Sequence, residues 1–259
     1  MKKPGFLAST SLVGLLVAPS AFAADLPVKA PVKYQESQKL PWAGLYIGVN
    51  AGYAWSSDPG TGCSFTGASI CPTTVFPGVN ASGAEYGIQA GYNWQVANWV
   101  FGFETDINKL GAQGSAQFAG IDPGKGPDQL SSRYDWLGTA RGRVGVIGGN
   151  ALFYATGGLA YGRVSHQYNY DTANIDGDNQ IFATSNTKLG WTVGGGVEYA
   201  LDRNWSLKAE YLYVHLGTTG LDLSALPTSA NEGNFLPGTT ILNFNNNLNI
   251  VRLGANYRF

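Results

Sequence analysis

The carboxyl-terminal stretch 247–259, NLNIVRLGANYRF, constrains the fold of this chain more than any other. Val251, Leu253, Ala255, Tyr257 and Phe259 fall on one face of a period-two pattern, with Arg252, Gly254, Asn256 and Arg258 on the other. Successive side chains of a β-strand point to opposite sides, so this stretch reads as a strand with an apolar, aromatic-ended face and a small, polar, cationic one. The aromatics at the end of the apolar face suggest that it meets lipid while the polar face lines a barrel.

The pattern recurs along the chain. It predicts strands over about 44–55, 83–95, 98–107, 133–146, 151–164, 188–201 and 205–216, which with the last make eight. The second is the cleanest, with Ala84, Tyr86, Ile88, Ala90, Tyr92 and Trp94 alternating against Glu85, Gly87, Gln89, Gly91 and Asn93. In the fourth, Tyr134, Trp136, Ala140, Val144 and Val146 oppose Asp135, Thr139, Arg141 and Arg143. The fifth has no readable register, because Leu152 with Tyr154 and Leu159 with Tyr161 fall on opposite faces.

Connections sort into two kinds. Val96-Ala97, residues 147–150 and residues 202–204 are tight turns, whereas 56–82, 108–132, 165–187 and 217–246 are long. Strict alternation of short and long places all long loops at one end of an antiparallel array, as in an all-β, eight-stranded, up-and-down transmembrane barrel. A soluble lipocalin-like barrel has the same strand count, with its apolar face turned inward. Two features favour the membrane form. The apolar faces are almost free of charge and carry aromatics at their ends (Trp55, Trp94, Trp99, Trp136, Trp205 and Tyr257). The polar faces hold both signs, Glu85, Glu104, Asp106, Glu198 and Glu210 with Arg141, Arg143, Lys208 and Arg252, a set that closes into a network if turned inward.

Residues 1–23 have the parts of a secretory signal: Lys2 and Lys3, an apolar run over about 6–17, and the small-residue ending Ala21-Phe22-Ala23. The run is shorter than the roughly 20 residues a spanning helix needs. Its removal leaves 14 Lys and Arg against 17 Asp and Glu. Residues 24–41, with Pro27 and Pro31, read as a periplasmic linker and 42–259 as the barrel. A nearly neutral chain without a basic run has no nucleic-acid partner to be expected. The 36 glycines are paired with 13% aromatics at strand spacing, which argues for a folded chain rather than a disordered one.

Candidate sites are few. Cys63 and Cys71 share the first long loop of an exported chain and are expected to pair as a disulfide, a link that stabilises by up to about 3 kcal/mol in the chain-entropy model. Two cysteines without a nearby histidine do not make a zinc site. The glycine clusters Gly157-Gly158 and Gly194 to Gly196 lie inside strands, whereas phosphate-binding loops lead into helices. Glu104 with Asp106, or Glu198 with Glu210, resemble acid/base pairs, but the interior of an eight-stranded barrel is filled by its side chains and such charges pair with one another. His166 and His215 have no evident catalytic partner, and no cofactor is expected.

The stretches ADLPVKAP (24–31), WAGLYIGVNAGYAW from Trp42, DWLGTARGRVG from Asp135, GWTVGGGVEYAL from Gly190, WSLKAEYLYVHLG from Trp205 and the ending VRLGANYRF together resemble the small, porin-like outer-membrane β-barrels of α-proteobacteria, and more distantly the OmpA-type transmembrane domain. The resemblance implies a non-enzymatic surface protein of the outer membrane, in contact with lipid and lipopolysaccharide. It implies that Tyr257 and Phe259 belong to the terminal signal read by the barrel-assembly machinery. It also implies that a mature end starting at Ala24-Asp25 is joined to peptidoglycan; the residues themselves read equally as a plain tail. Envelope integrity and surface interaction are the expected roles, with a narrow pore for small solutes as the alternative and a surface enzyme as a third reading that no nucleophile supports.

Overall fold

The computed structural model describes residues 42–56, 63–65, 78–118, 126–170, 179–223 and 240–259. The secretory signal, the linker, Ala24, Asp25, Cys71 and the side chain of Cys63 lie outside the described residues.

Among the described residues ten strands appear in chain order: β1 (Gly44–Trp55), β2 (Cys63–Phe65), β3 (Ser82–Val96), β4 (Trp99–Leu110), β5 (Gln113–Phe118), β6 (Asp128–Gly148), β7 (Ala151–Tyr170), β8 (Gln180–Ala200), β9 (Trp205–Asp222) and β10 (Thr240–Arg258). Eight form a closed antiparallel ring, β1-β10-β9-β8-β7-β6-β4-β3, completed where β3 pairs with β1; β2 pairs with β10 and β5 with β6. Closure leaves no edge strand in the ring, so its backbone donors and acceptors have partners where no water is available. The final stretch closes it: Tyr46 lies opposite Arg258, and the Phe259 amide donates to the Leu45 carbonyl at 3.0 Å.

The turns are tight because their backbone allows it. Ala97 (φ 53°) and Gly149 (φ 65°) take the left-handed conformation that short hairpins need, and the Asp202 carboxylate accepts from the amides of Asn204 and Trp205 at 2.8 and 2.7 Å. Hydrogen bonds from two backbone amides hold the Asp202 carboxyl below the usual carboxylate range.

Outward side chains in the turn-side half form an apolar belt. It includes Leu45, Ile47, Val49, Tyr86, Ile88, Phe101, Phe103, Leu189, Val193, Leu207 and Leu253, with Leu253 67% exposed. A contiguous apolar surface of this extent is foreign to a water-soluble monomer and suits a bilayer. On β10 the belt runs from Phe259 to Val251 and then gives way to Asn249, Asn247 and Asn245. That spacing is the nine to eleven residues, roughly, of a tilted spanning strand. Trp94, Trp99 and Trp205 stand at the turn-side edge, where Trp205 and Tyr257 meet edge-on at 5.2 Å. Trp136 with Tyr161, and Trp191 with Tyr213, mark the opposite edge.

Two expectations are corrected and one open register is settled. The strands run far beyond the belt, so much of each predicted long loop is ladder: β6 begins at Asp128, β7 reaches Tyr170, β8 begins at Gln180 and β9 reaches Asp222. Tyr134, expected on the outer face, is buried inside, because a bulge between Tyr134 and Trp136 adds Asp135 to β6 and reverses the facing of every residue before it. The unreadable register of β7 is settled with Leu152 and Tyr154 inside and Phe153 and Leu159 outside. A second reversal occurs on β9 near Gly217 (φ 69°), where the pairing with β10 shifts between Asn245 and Asn247.

The interior is layered. Trp42, Val100, Leu152, Tyr154 and Ala200 pack together at the turn end. A larger apolar layer, including Leu110, Leu137, Leu212, Val214, Leu216, Leu248 and Ile250, fills the lumen farther up. Beyond it Leu130, Tyr168, Leu221, Leu223 and Phe244 form a third. Most of the buried charged side chains lie between the first two, with Arg258 at the turn end beside Trp42, Glu85 in the row of Leu110 and Asp128 beside Tyr168.

Candidate functional site

Alternation turns the charged residues of β4, β6, β8, β9 and β10 into the lumen, where they meet across the ring. Arg141 is central. Its Nη2 donates to Glu104 Oε1 at 2.6 Å and to Asp106 Oδ2 at 2.9 Å, and its Nη1 donates to Glu210 Oε1 at 3.0 Å. Arg252 donates from Nε to Glu210 Oε2 at 2.7 Å and from Nη2 to Asp106 Oδ2 at 3.0 Å. Lys208 Nζ donates to Glu104 Oε1 at 2.8 Å. Arg143 reaches Glu198 at 3.1 Å and donates from Nε to Asn93 Oδ1 at 2.9 Å. Neutral groups saturate the remaining lone pairs: Thr139 and Asn108 donate to Asp106, and Ser206 and Asn256 donate to Glu198.

Two rows of this layer share one construction. Tyr46, Gly91 and Glu104 lie side by side on β1, β3 and β4, and the Tyr46 ring crosses the glycine so that its hydroxyl donates to Glu104 Oε2 at 2.8 Å. Tyr154, Gly196 and Glu210 repeat this on β7, β8 and β9, the hydroxyl donating to Glu210 Oε1 at 2.9 Å. A Cβ at Gly91 would stand 2.3 Å from the Tyr46 oxygen, and one at Gly196 2.8 Å from the Tyr154 oxygen. Glycine is therefore what lets each tyrosine lie across a neighbouring strand. The Arg143 guanidinium stacks over the Tyr46 ring at 4.7 Å.

Of the nine charged residues read from sequence, Glu104, Asp106, Arg141, Arg143, Glu198, Lys208, Glu210 and Arg252 are brought together. Glu85 is not: it is buried one row toward the loops, beside Gly52 and Leu110, and neither carboxylate oxygen has a hydrogen-bond partner. The reason is reach, since Gly52 separates Glu85 from Arg252 along that row and Arg252 turns toward Glu210 and Asp106. Arg258, not anticipated as a lumen cation, is buried at the turn end with its guanidinium 4.7 Å from the Trp42 ring. Its position on the polar face of the terminal strand was the available signal. Tyr257 and Phe259 are at the turn-side end of β10, ring to ring at 5.2 Å.

The layer holds acids, bases and hydroxyls within hydrogen-bond range, yet it offers no approach for a reactant. Arg141 has no exposed surface and Arg252, Lys208 and Glu210 have 3% or less, with apolar layers above and below. Chemically the arrangement ties all eight strands of the ring to one another.

A second polar cluster lies in the extension beyond the belt. Asn246 donates from Nδ2 to Gly217 O and Thr219 Oγ1, both at 2.9 Å, which turns its Oδ1 toward His166 Nε2 at 2.9 Å. That nitrogen therefore carries the proton, and Nδ1 accepts from Ser132 Oγ at 2.9 Å. The imidazole stacks on Phe244 with centroids 4.1 Å apart. Burial pushes its pKa down to about 4, so the ring is neutral at ordinary pH. Ser132 and His166 are both buried, so this is an internal brace rather than an exposed nucleophile. Sequence gave His166 no partner because Ser132 and Asn246 come from distant strands. His215 faces outward, with Nδ1 2.6 Å from Asn247 Oδ1.

Comparison with known proteins agrees with this architecture. A family model described as "Outer membrane protein beta-barrel domain" matches residues 11–259. The 31 kDa outer-membrane immunogenic protein of Brucella melitensis is 36% identical over 254 residues, covering 95% of this chain and 97% of that protein. The 25 kDa outer-membrane immunogenic protein of Brucella abortus is 27% identical, covering 93% and 91%. Among solved structures, OprG from Pseudomonas aeruginosa superposes with a TM-score of 0.49 at 14% identity, covering 84% of this chain and 96% of that one.

Proposed function

We propose, from the premise that this chain belongs to the family of outer-membrane β-barrel domain proteins, that it serves as a closed, non-enzymatic barrel supporting envelope integrity and presenting its loops at the cell surface. Its place is the outer membrane. The observation that carries the reading is the packing of the lumen: among the described residues, a layer of eight ion-paired side chains lies between two apolar layers, which opposes the passage of hydrated solutes. The description of the Brucella relatives as immunogenic supports loop exposure in this chain too. The narrow-pore alternative would need a continuous polar lining, which the packing of Leu212, Leu216, Leu248 and Ile250 opposes.

Tyr257 and Phe259 serve in this reading as the terminal signal for barrel assembly, and Ala24-Asp25, exposed by signal cleavage, as the point of attachment to peptidoglycan. The disulfide between Cys63 and Cys71 would brace the first loop. A strain lacking the protein tests the role: heightened sensitivity to detergent with unchanged uptake of small solutes is expected, whereas slowed uptake with intact detergent resistance would favour the pore. Mass spectrometry of digested envelopes tests the tether, which predicts a peptide beginning at Ala24 joined to a stem peptide.

A further inference from the structure

We propose that the outer wall of the barrel carries a binding site for a multiply phosphorylated glycolipid headgroup of the outer leaflet, built by Lys109, Arg133 and Arg163. These cations sit where the apolar belt ends. Lys109, Trp136 and Arg163 occupy one row across β4, β6 and β7, each cation two residues beyond the last outward belt residue of its strand, Ile107 or Tyr161. Trp136 and Tyr161 meet edge-on at 5.9 Å just below, in the position of an interfacial aromatic pair. The bulge at Asp135 brings Arg133 onto the same outer wall.

The side chains are available. Those of Arg133 and Arg163 are 66% and 53% exposed, on the outside of a structure whose other arginines on β6 and β10 are buried in the lumen. Asp135 is the single carboxylate among the described residues lining the surrounding hollow, 3.2 Å from Arg133 and 4.0 Å from Arg163, so it balances at most one of them. The hollow is open to the outside and holds about 810 Å³; Arg133 and Arg163 line it with Ser115, Ser131, Ser165 and Ser185, Arg163 Nε donating to Ser185 Oγ at 3.0 Å, and Lys109 stands beside it on the adjoining row.

The chemistry selects the occupant. Guanidinium groups recognise phosphate through paired hydrogen bonds, and at the edge of a membrane, out of full hydration, such contacts strengthen. With neighbouring strands about 4.8 Å apart, the cations of β4 and β7 stand on the order of 10 Å from each other, more than one phosphodiester can span. A sugar headgroup bearing two or more phosphates places its charges on the cations and its hydroxyls against the serines. A phospholipid with one phosphate and a small headgroup uses a single cation and leaves the hollow unfilled. The proposal rests on the membrane placement and not on the closed lumen, so the two fail separately.

The test uses the full-length protein in phospholipid nanodiscs, titrated with rough lipopolysaccharide, with the same lipopolysaccharide after enzymatic dephosphorylation, and with phosphatidylglycerol. The wild type is expected to bind the phosphorylated form at least tenfold more tightly than either other lipid. Arg133→Gln with Arg163→Gln should abolish that preference, Lys109→Gln should weaken it two- to threefold, and Arg133→Lys with Arg163→Lys should retain part of it. Heat-modified electrophoretic mobility checks that each variant is folded, and for any that is not, the wild-type lipid comparison alone decides. Equal wild-type affinity for the three lipids, or an unchanged preference in the folded double variant, would overturn the proposal.

Discussion

The half of the barrel near the short turns and the half beyond Trp136 are inside-out versions of each other. Near the turns, outward residues such as Ile88, Phe103 and Leu253 are apolar while the lumen holds Arg141 and its carboxylates. Beyond the belt, outward positions are Ser131, Arg133, Asn245 and Asn247, while Leu130, Tyr168, Leu221 and Phe244 fill the inside. One ladder of hydrogen bonds runs through both halves. What surrounds the strand, hydrocarbon or water, sets which face is apolar. The bulge on β6 and the one on β9 fall near this boundary, so Tyr134 and Leu130 stay in the same sequence phase as Trp136 while pointing the opposite way.

Breaking the turn-side half at its centre should have the largest effect. Arg141→Ala leaves Glu104, Asp106 and Glu210 short of a cation inside a buried layer and is expected to destabilise by about 3–5 kcal/mol. Urea unfolding in detergent micelles reads this as a lower midpoint. Replacing Arg141 with methionine together with neutral partners should recover much of the loss, since a packed apolar layer is as good a filling as a paired one.

The outer half should instead answer to pH. The His166 pKa lies near 4 when folded and near 6.5 when unfolded, so below pH 6.5 the unfolded chain takes up a proton that the folded one refuses. Stability from this residue is complete above pH 6.5, declines as pH falls and levels off below about 4, a total of roughly 3 kcal/mol. His166→Gln should flatten the dependence of the unfolding midpoint across that window; an unchanged slope would show that the cluster does not titrate with folding.

Smaller effects sharpen the contrast. Gly91→Ala should cost about 1–3 kcal/mol by driving a methyl into the Tyr46 hydroxyl and the Phe103 carbonyl. Pairing it with Tyr46→Phe should make part of the two losses redundant, which a double-mutant cycle measures. Ala97→Gly, at a left-handed turn position, should stabilise by up to about 1 kcal/mol, visible as a slightly higher midpoint.

The membrane half was legible because lipid on one side and charge on the other enforce alternation, as in β1 and β3. Legibility failed wherever both faces of a strand are apolar. Leu152, Phe153 and Tyr154 follow one another because the turn-end layer of the lumen is as apolar as the belt, so β7 showed no phase. The strand extensions were missed because polar outer faces resemble loops. The lumen network was readable as a list of residues on one face, but its connections were not. Glu85 and Arg141 look alike in sequence, and only the crossing of Gly52 and the reach of Arg252 across the ring leave the first without a partner.

Single-channel recording of the purified full-length protein in planar bilayers tests the proposed closed lumen most directly. The structure predicts no steady conductance above baseline in molar salt, in the wild type and in Glu85→Gln alike. Stable, reproducible conductance steps that scale with salt concentration and are altered by Arg141→Ala would contradict it.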